Sequence, residues 1–104
     1  PLWLAPTQVT VCSITDEADD YVKEISETLR SKNIRCNSDL RNEKISYKVR
    51  EHSVSKVPII IAVGKKEVLE RTVSVRRLGS DDTSILSLDD FTTSVVQESL
   101  APNK

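Results

Sequence analysis

Charged side chains are concentrated in the segment DLRNEKISYKVREH, residues 39–52, which also has helical periodicity. Its charged members other than the histidine are Arg41, Lys44, Lys48, Arg50, Asp39, Glu43 and Glu51. Arginine and lysine in such a cluster can hold an anionic ligand, through charge and through the planar fork of the guanidinium group. The alternative is a solvated helix face. The composition of this segment alone leaves both interpretations open.

The distribution of charge along the chain favours a localised anion-binding patch over general affinity for polyanions. The 104 residues carry a net charge of -1, but residues 1–38 carry -2, residues 39–77 carry +5 and residues 78–104 carry -4. A basic centre between two acidic ends would repel a long polyanion at both ends while attracting it in the middle.

Motifs for catalysis or metal binding are incomplete in this sequence, so we predict no catalytic residue and no metal site. His52 is the only histidine, whereas a helical zinc motif needs two, and we expect it to have a structural or hydrogen-bonding role. The letters DEAD at residues 16–19 have no phosphate-binding loop beside them, because the chain has only two glycines. Cys12 and Cys36 form no CxxC pair, and we expect two buried, reduced thiols. A thiol enzyme would instead need a lowered thiol pKa.

The elements that must position the charged segment follow from the hydrophobic pattern. The length suits one domain, residues 1–104, with one core. Strands are predicted at residues 8–14, 34–40, 56–64 and 72–77, and helices at 15–33, 43–55 and 87–100. Residues 65–71 are predicted to form a turn and residues 80–87 a polar loop. Strands alternating with helices predict an α/β fold with a mostly parallel sheet and a late antiparallel strand.

Several residues are predicted to define where these elements begin and end. Thr15 or Asp16 is suited to cap the first helix, and Asn33 to end it in the left-handed region. Pro58 is expected at the start of its strand, where a missing N–H is harmless. Ser87 and Asp90 approximate a capping box for the last helix, whose buried face is predicted to comprise Leu88, Phe91, Val95 and Leu100.

The helix predicted at residues 43–55 has two different sides. Ile45, Val49 and His52 share one side, and Tyr47 and Val54 lie nearly opposite, so that side is expected to contact a neighbour outside the chain. Aromatic residues make up only 4% of the chain. RNA binding by stacking on a sheet surface is therefore not expected, and RNA contacts should consist mainly of hydrogen bonds and charge.

Five parts of the sequence together resemble a known family. They are LAPTQV at residues 4–9, DLRNEKISYKVREHS at 39–53, KVPIIIAVG at 56–64, Glu67, and TVSVRRLG at 72–79. In this order they resemble the C-terminal anticodon-binding domain of bacterial threonyl-tRNA synthetases, a class IIa type shared with the prolyl-, histidyl- and glycyl- enzymes. The resemblance implies a three-layer α/β fold, with a mixed, mostly parallel five-stranded sheet flanked by three helices. The fifth strand is a short one that the pattern does not place.

The resemblance also implies a function, the recognition of the tRNA anticodon, and chiefly of its second and third bases, G and U. The family's base-reading positions correspond here to Asn42, Lys44, Arg50, Glu67 and Arg76. Four more cations are expected to position phosphates, namely Lys48, Lys65, Lys66 and Arg77.

Each base-reading position has a simpler structural alternative. Asn42 could only cap the following helix, and Glu67 could only pair with a neighbouring lysine at the surface. Arg50 could bridge to Glu51 or Asp39, and Arg76 could be a charge that protects an exposed strand edge. The residue types leave these alternatives open.

By resemblance, the chain is a fragment of a larger threonine–tRNA ligase, which attaches threonine to its tRNA with ATP. ATP, Mg and Zn are expected in the catalytic part of that parent and not in this domain. The expected partners are the anticodon loop of a threonine tRNA and the catalytic domain of the parent chain, and the parent is expected to be a cytoplasmic homodimer without membrane contact. The alternative is a reused module of the same fold that binds RNA or protein without anticodon specificity.

Overall fold

A computed structural model describes residues 2–80 and 82–100, which form one five-stranded sheet with helices on both faces. The strands are β1 (Val9–Ser13), β2 (Cys36–Asp39), β3 (Ile59–Val63), β4 (Thr72–Arg77) and β5 (Thr83–Ser87). The α-helices are α1 (Asp19–Ser31), α2 (Ile45–Val54), α3 (Lys65–Glu70) and α4 (Leu88–Ser99), with short 3₁₀ turns at Leu2–Leu4 and Asp16–Ala18. In this part of the chain, no helix combines the length and apolar character needed to cross a membrane.

The sheet is mixed, as the sequence predicts. Its strand order is β2-β1-β3-β4-β5, with β1 parallel to both β2 and β3, while β4 and β5 are added antiparallel. The register places Cys12 beside both Asp39 and Ala62. The carboxyl ends of the three parallel strands therefore meet at one edge of the sheet, and the segments that follow β2 and β3 begin there.

Side chains that alternate along the central strands separate two apolar clusters. Ile59, Ile61 and Val63 of β3 belong to the large core that α1 and α4 cover. Ile60 points the other way and joins a small cluster with Cys12, against which Val49 of α2 packs. The result is three layers, with α2 as the main cover of the second sheet face.

Most of the predicted start and end residues are observed. Asn33 has a φ of 65°, in the left-handed region, and Pro58 directly precedes β3. The Ser87 hydroxyl oxygen accepts a 3.1 Å hydrogen bond from the Asp90 N–H at the start of α4. The predicted cap of α1 was wrong, because a 3₁₀ turn leads into this helix, and Thr15, which precedes the turn, makes no side-chain capping hydrogen bond.

Two elements differ from the prediction. The expected turn at residues 65–71 contains α3, which raises the number of α-helices from three to four, and the expected loop at 80–87 contains the edge strand β5. Six residues are too few for α3 to show helical periodicity, and β5 has too little buried apolar surface to give an alternating pattern. Leu100, predicted to be buried, is 60% exposed because α4 ends before it.

Candidate nucleic-acid interface

The segment that joins β2 to α2 begins at the carboxyl edge of the sheet and carries two of the predicted base-reading residues. Asn42 and Lys44 are both exposed there. Lys44, and not Asn42, is the residue preceding the first turn of α2, and its side chain makes no capping hydrogen bond. Asn42 therefore does not serve as the helix cap, which removes the structural alternative for this residue.

A cleft of about 520 Å³ lies between α2 and the second face of the sheet. Val49 and Ile60 contribute apolar lining, and Ser74 adds a hydroxyl. Arg50 from α2 and Arg76 from β4 line the same cleft, although they lie far apart in the sequence. The fold thus brings two of the predicted base-reading arginines to one concave surface.

Both arginines are available for a ligand. Within residues 2–80 and 82–100, neither guanidinium group makes an ion pair or a hydrogen bond. The predicted alternative for Arg50 does not occur, because the guanidinium group that binds both Asp39 and Glu51 belongs to Arg41. Nor does Arg76 protect an exposed edge, since β4 lies between β3 and β5.

Glu67 lies on α3, directly after β3, and has a local structural role. Its Oε1 accepts a 2.7 Å hydrogen bond from the Gly64 N–H, which fixes the start of this short helix. The structural alternative, pairing with Lys65 or Lys66, is not observed among the described residues. Glu67 is half-buried at the carboxyl edge, on which Asn42 and Lys44 also lie. Among the described residues, the side chains of four of the five predicted positions have no hydrogen-bond or ion-pair partner, and the fifth, Glu67, uses one carboxylate oxygen.

On its other side, α2 faces a network of charges centred on Asp39, which is only 5% exposed. Arg41 binds both carboxylate oxygens, with Nε 3.0 Å from Oδ1 and Nη2 2.7 Å from Oδ2, and Nε2 of His52 lies 2.8 Å from Oδ2. The hydrogen bonds from Arg41 and then from His52 hold the pKa of Asp39 well below its usual range. The structural role expected for His52 is confirmed.

Lys48 belongs to this buried network, so its prediction as a phosphate-positioning residue was wrong. Its side chain is only 1% exposed. The ammonium group donates hydrogen bonds to the carbonyl oxygens of Ser13, at 2.9 Å, and Asp39, at 3.2 Å. A phosphate cannot reach a group enclosed in this way. The sequence contained the signal, because Lys48 lies three residues after Ile45 and one before Val49 and so shares the inward side of the helix.

The other three predicted phosphate-positioning residues differ in their surroundings. Lys65 and Lys66 are exposed on the first turn of α3, and neither makes an ion pair in the part of the chain that the structure describes. Arg77 forms two 2.7 Å hydrogen bonds with Glu98 of α4. Arg77 lines a cavity with Phe91, on the opposite sheet face from Arg76, so it would not contact a ligand that lies in the cleft. No observation tests the phosphate role of these three residues, which stays a prediction.

The two cysteines are free and buried, as predicted. Burial raises the pKa of Cys12 to about 12 and also raises the pKa of Cys36, opposite to the shift that a thiol enzyme needs.

Ligand atoms of Cys12, Asp39 and His52 lie within 4.8 Å of one another. This group does not suit a metal cation, because Arg41 and His52 already bind the Asp39 carboxylate and the Lys48 ammonium lies 3.9 Å from it.

Comparison with known proteins connects this geometry to a family. The family model described as an anticodon binding domain matches residues 8–98. The chain is 59% identical over 103 residues to the threonine–tRNA ligase of Ruegeria sp. strain TM1040, covering 99% of this chain and 16% of that protein. It is 54% identical over 103 residues to the threonine–tRNA ligase of Agrobacterium fabrum, covering 99% of this chain and 15% of that protein. The chain therefore spans about one sixth of the length of these relatives.

Solved structures share the fold. The RNA binding domain of threonyl-tRNA synthetase from Cryptosporidium parvum Iowa II matches with a TM-score of 0.91 at 23% identity, covering 98% of this chain and 26% of that one. Histidyl-tRNA synthetase from Nostoc sp. PCC 7120 matches with a TM-score of 0.83 at 17% identity, covering 90% of this chain and 23% of that one. At these identities the likeness concerns the fold alone.

Proposed function

The chain belongs to the anticodon-binding domain family, and from this membership we propose that it recognises the anticodon loop of a threonine tRNA. The observation that carries the proposal is the cleft in which Arg50 and Arg76 have no ion-pair partner among the described residues. Two unpaired guanidinium groups on a concave, partly apolar surface suit an unstacked base, whose edge needs hydrogen bonds and whose ring needs apolar contact.

The chemistry of each residue suggests how the bases would be read. Guanine offers its O6 and N7 acceptors to an arginine fork, which Arg50 or Arg76 would supply. Its N1 and N2 donors suit a carboxylate, which Glu67 would supply through the oxygen that does not bind Gly64. Uracil offers two carbonyls and one N–H, which suit Lys44 and Asn42. Each good bidentate contact would discriminate between bases by about 1–3 kcal/mol.

We further propose that the chain is one domain of a threonine–tRNA ligase, whose remainder supplies the reaction. That enzyme attaches threonine to tRNA with ATP, and its ATP, Mg and Zn sites would lie in its catalytic part. The catalytic domain and a second copy of the parent are the expected protein partners, in the cytoplasm. This chain would contribute tRNA selection and positioning.

The decisive experiment is a titration of the chain with a threonine anticodon stem-loop and with the same stem-loop carrying a changed second anticodon base, at one fixed, moderate salt concentration. We expect tighter binding to the unchanged loop. Equal, salt-sensitive binding to both loops would contradict base reading and favour the reused module that binds without anticodon specificity.

The substitution Glu67→Gln sharpens this test. Glutamine keeps an oxygen that can accept from the Gly64 N–H, so the start of α3 is preserved while the negative charge is lost. We expect base preference to fall more than overall affinity does. An equal loss on both stem-loops would assign Glu67 to the structure of α3 alone.

A further inference from the structure

Tyr47 differs from the other aromatic residues that the structure describes. Tyr21 and Phe91 are 3% and 2% exposed and belong to the main core, whereas Tyr47 is 49% exposed on the outer side of α2. Among the side chains described in residues 2–80 and 82–100, Tyr47 is the only exposed aromatic ring. Packing within the described residues does not explain why the large ring of Tyr47 occupies an exposed position.

The ring of Tyr47 is nevertheless held in place. The Arg41 guanidinium group lies over the ring, 5.8 Å from its centroid, and the same group is fixed by the buried Asp39 carboxylate. The nearby Glu51 carboxylate, which Arg41 also binds, raises the pKa of Tyr47. An exposed ring that already packs under a fixed guanidinium group loses little conformational entropy when a ligand binds to it.

Cations flank the ring. Arg50 lies three residues after Tyr47 on α2, and residues at this spacing are neighbours on a helix surface, about 5–6 Å apart. Lys44 lies three residues before Tyr47, directly before the first turn of the same helix. Both are exposed and neither makes an ion pair within the described residues. Two carboxylates, Glu43 and Glu51, also lie near the ring, and the Arg41 guanidinium offsets the second of them. The surface around the ring thus keeps an excess of positive charge.

We propose that the ring of Tyr47 is a stacking platform for one unpaired base of the bound RNA loop, next to the base that Arg50 contacts. An aromatic face between unpaired cations matches a nucleotide, which has an apolar base on a charged backbone. A protein segment would match the ring but not the two unpaired cations. The proposal rests on the proposed function and adds to it a stacking contact, which tolerates different bases where hydrogen bonds do not.

The experiment compares the chain with two variants, Tyr47→Phe and Tyr47→Leu, by titration with the threonine anticodon stem-loop. Phenylalanine keeps the ring, and leucine keeps an apolar side chain without it. We expect Tyr47→Phe to bind within about twofold of the unchanged chain and Tyr47→Leu to bind about tenfold more weakly. Thermal unfolding of each variant provides the control for folding, because an exposed position should change stability little.

A second set of stem-loops, each with one loop base removed to leave an abasic sugar, identifies the stacked base. On one of these RNAs, Tyr47→Leu should bind as well as the unchanged chain, since the base that the ring would contact is absent. Two results would overturn the proposal. In the first, Tyr47→Leu binds every RNA as tightly as the unchanged chain does. In the second, it binds every abasic RNA more weakly by the same factor. If Arg50→Gln still abolishes base preference in either case, anticodon recognition is retained as the proposed function, without stacking on Tyr47. If the unchanged chain shows no saturable binding, both are overturned for this chain.

Discussion

The two sides of α2 both carry cations, but they use them in opposite ways. On one side Lys48 is buried and donates to the carbonyl oxygens of Ser13 and Asp39. On the other side Arg50 is exposed, lines the cleft and has no ion-pair partner within the described residues. The difference shows that residue type does not determine the role of a cation here. A buried cation whose hydrogen bonds are made within the protein joins the helix to the sheet. An exposed cation without such hydrogen bonds remains available to a ligand.

The largest expected effect is on the buried side. Lys48→Met should lower the free energy of unfolding by about 3 kcal/mol, because it removes the ammonium donor from two buried carbonyl oxygens and a positive charge beside Asp39. Urea unfolding measures the change. Lys44→Met is the matched control on an exposed position and should change stability by less than about 0.5 kcal/mol. Similar losses for the two variants would refute the distinction between the sides.

The second prediction concerns the dependence of stability on pH. The folded-state pKa of Asp39 lies below its ordinary value of about 4, so the unfolded state binds more protons and stability rises with pH in this range. The contribution should be present at neutral pH and decrease as the pH falls below about 4. Asp39→Asn should lower the free energy of unfolding by about 2 kcal/mol at pH 7, and its stability should fall less steeply than that of the unchanged chain as the pH is lowered below about 4. An equally steep fall in stability for both proteins would contradict the role of this carboxylate.

On the exposed side, the expected effect is on binding rather than on stability. Arg50→Gln should reduce the preference for the unchanged stem-loop about tenfold, in line with the value of one specific base contact, and leave the unfolding curve nearly unchanged. Arg77→Gln is the control, because Arg77 lies on the opposite sheet face from the cleft, and it should keep the base preference even if it contacts a phosphate. Retained base preference in Arg50→Gln would show that an unpaired arginine in the cleft is not sufficient evidence for base reading.

The smallest expected effect belongs to Lys65, which is exposed and without an ion pair in the described part of the chain. Lys65→Ala should weaken binding to both stem-loops equally and lower the slope of log affinity against log salt by about 0.7. Lys23→Ala, at an exposed site on α1 outside the basic segment of residues 39–77, should leave the slope unchanged. A change in base preference for Lys65→Ala would mean that this lysine contacts a base and not a phosphate.

The sequence was informative where burial imposes a pattern. The strands β1 and β3 are apolar because helices cover both of their faces, and the helices α1 and α4 show a repeating apolar side, so all four were predictable. The pattern failed at α3, which is too short to repeat, and at β5, which is mostly exposed. An edge strand with little burial is specified by its backbone pairing to β4, and hydrophobic periodicity does not report backbone pairing.

The residues of the candidate site also differ in how far the sequence predicts their roles. The sequence alone determined the basic centre of the chain, and its resemblance to a family pointed to the five base-reading positions. Only the tertiary structure placed Arg50 and Arg76 in one cleft, and only it showed that Lys48 is buried while Arg41 binds Asp39. The reason is physical. The role of a charged side chain depends on its partners and its access to water, and contacts between distant segments of the chain decide both.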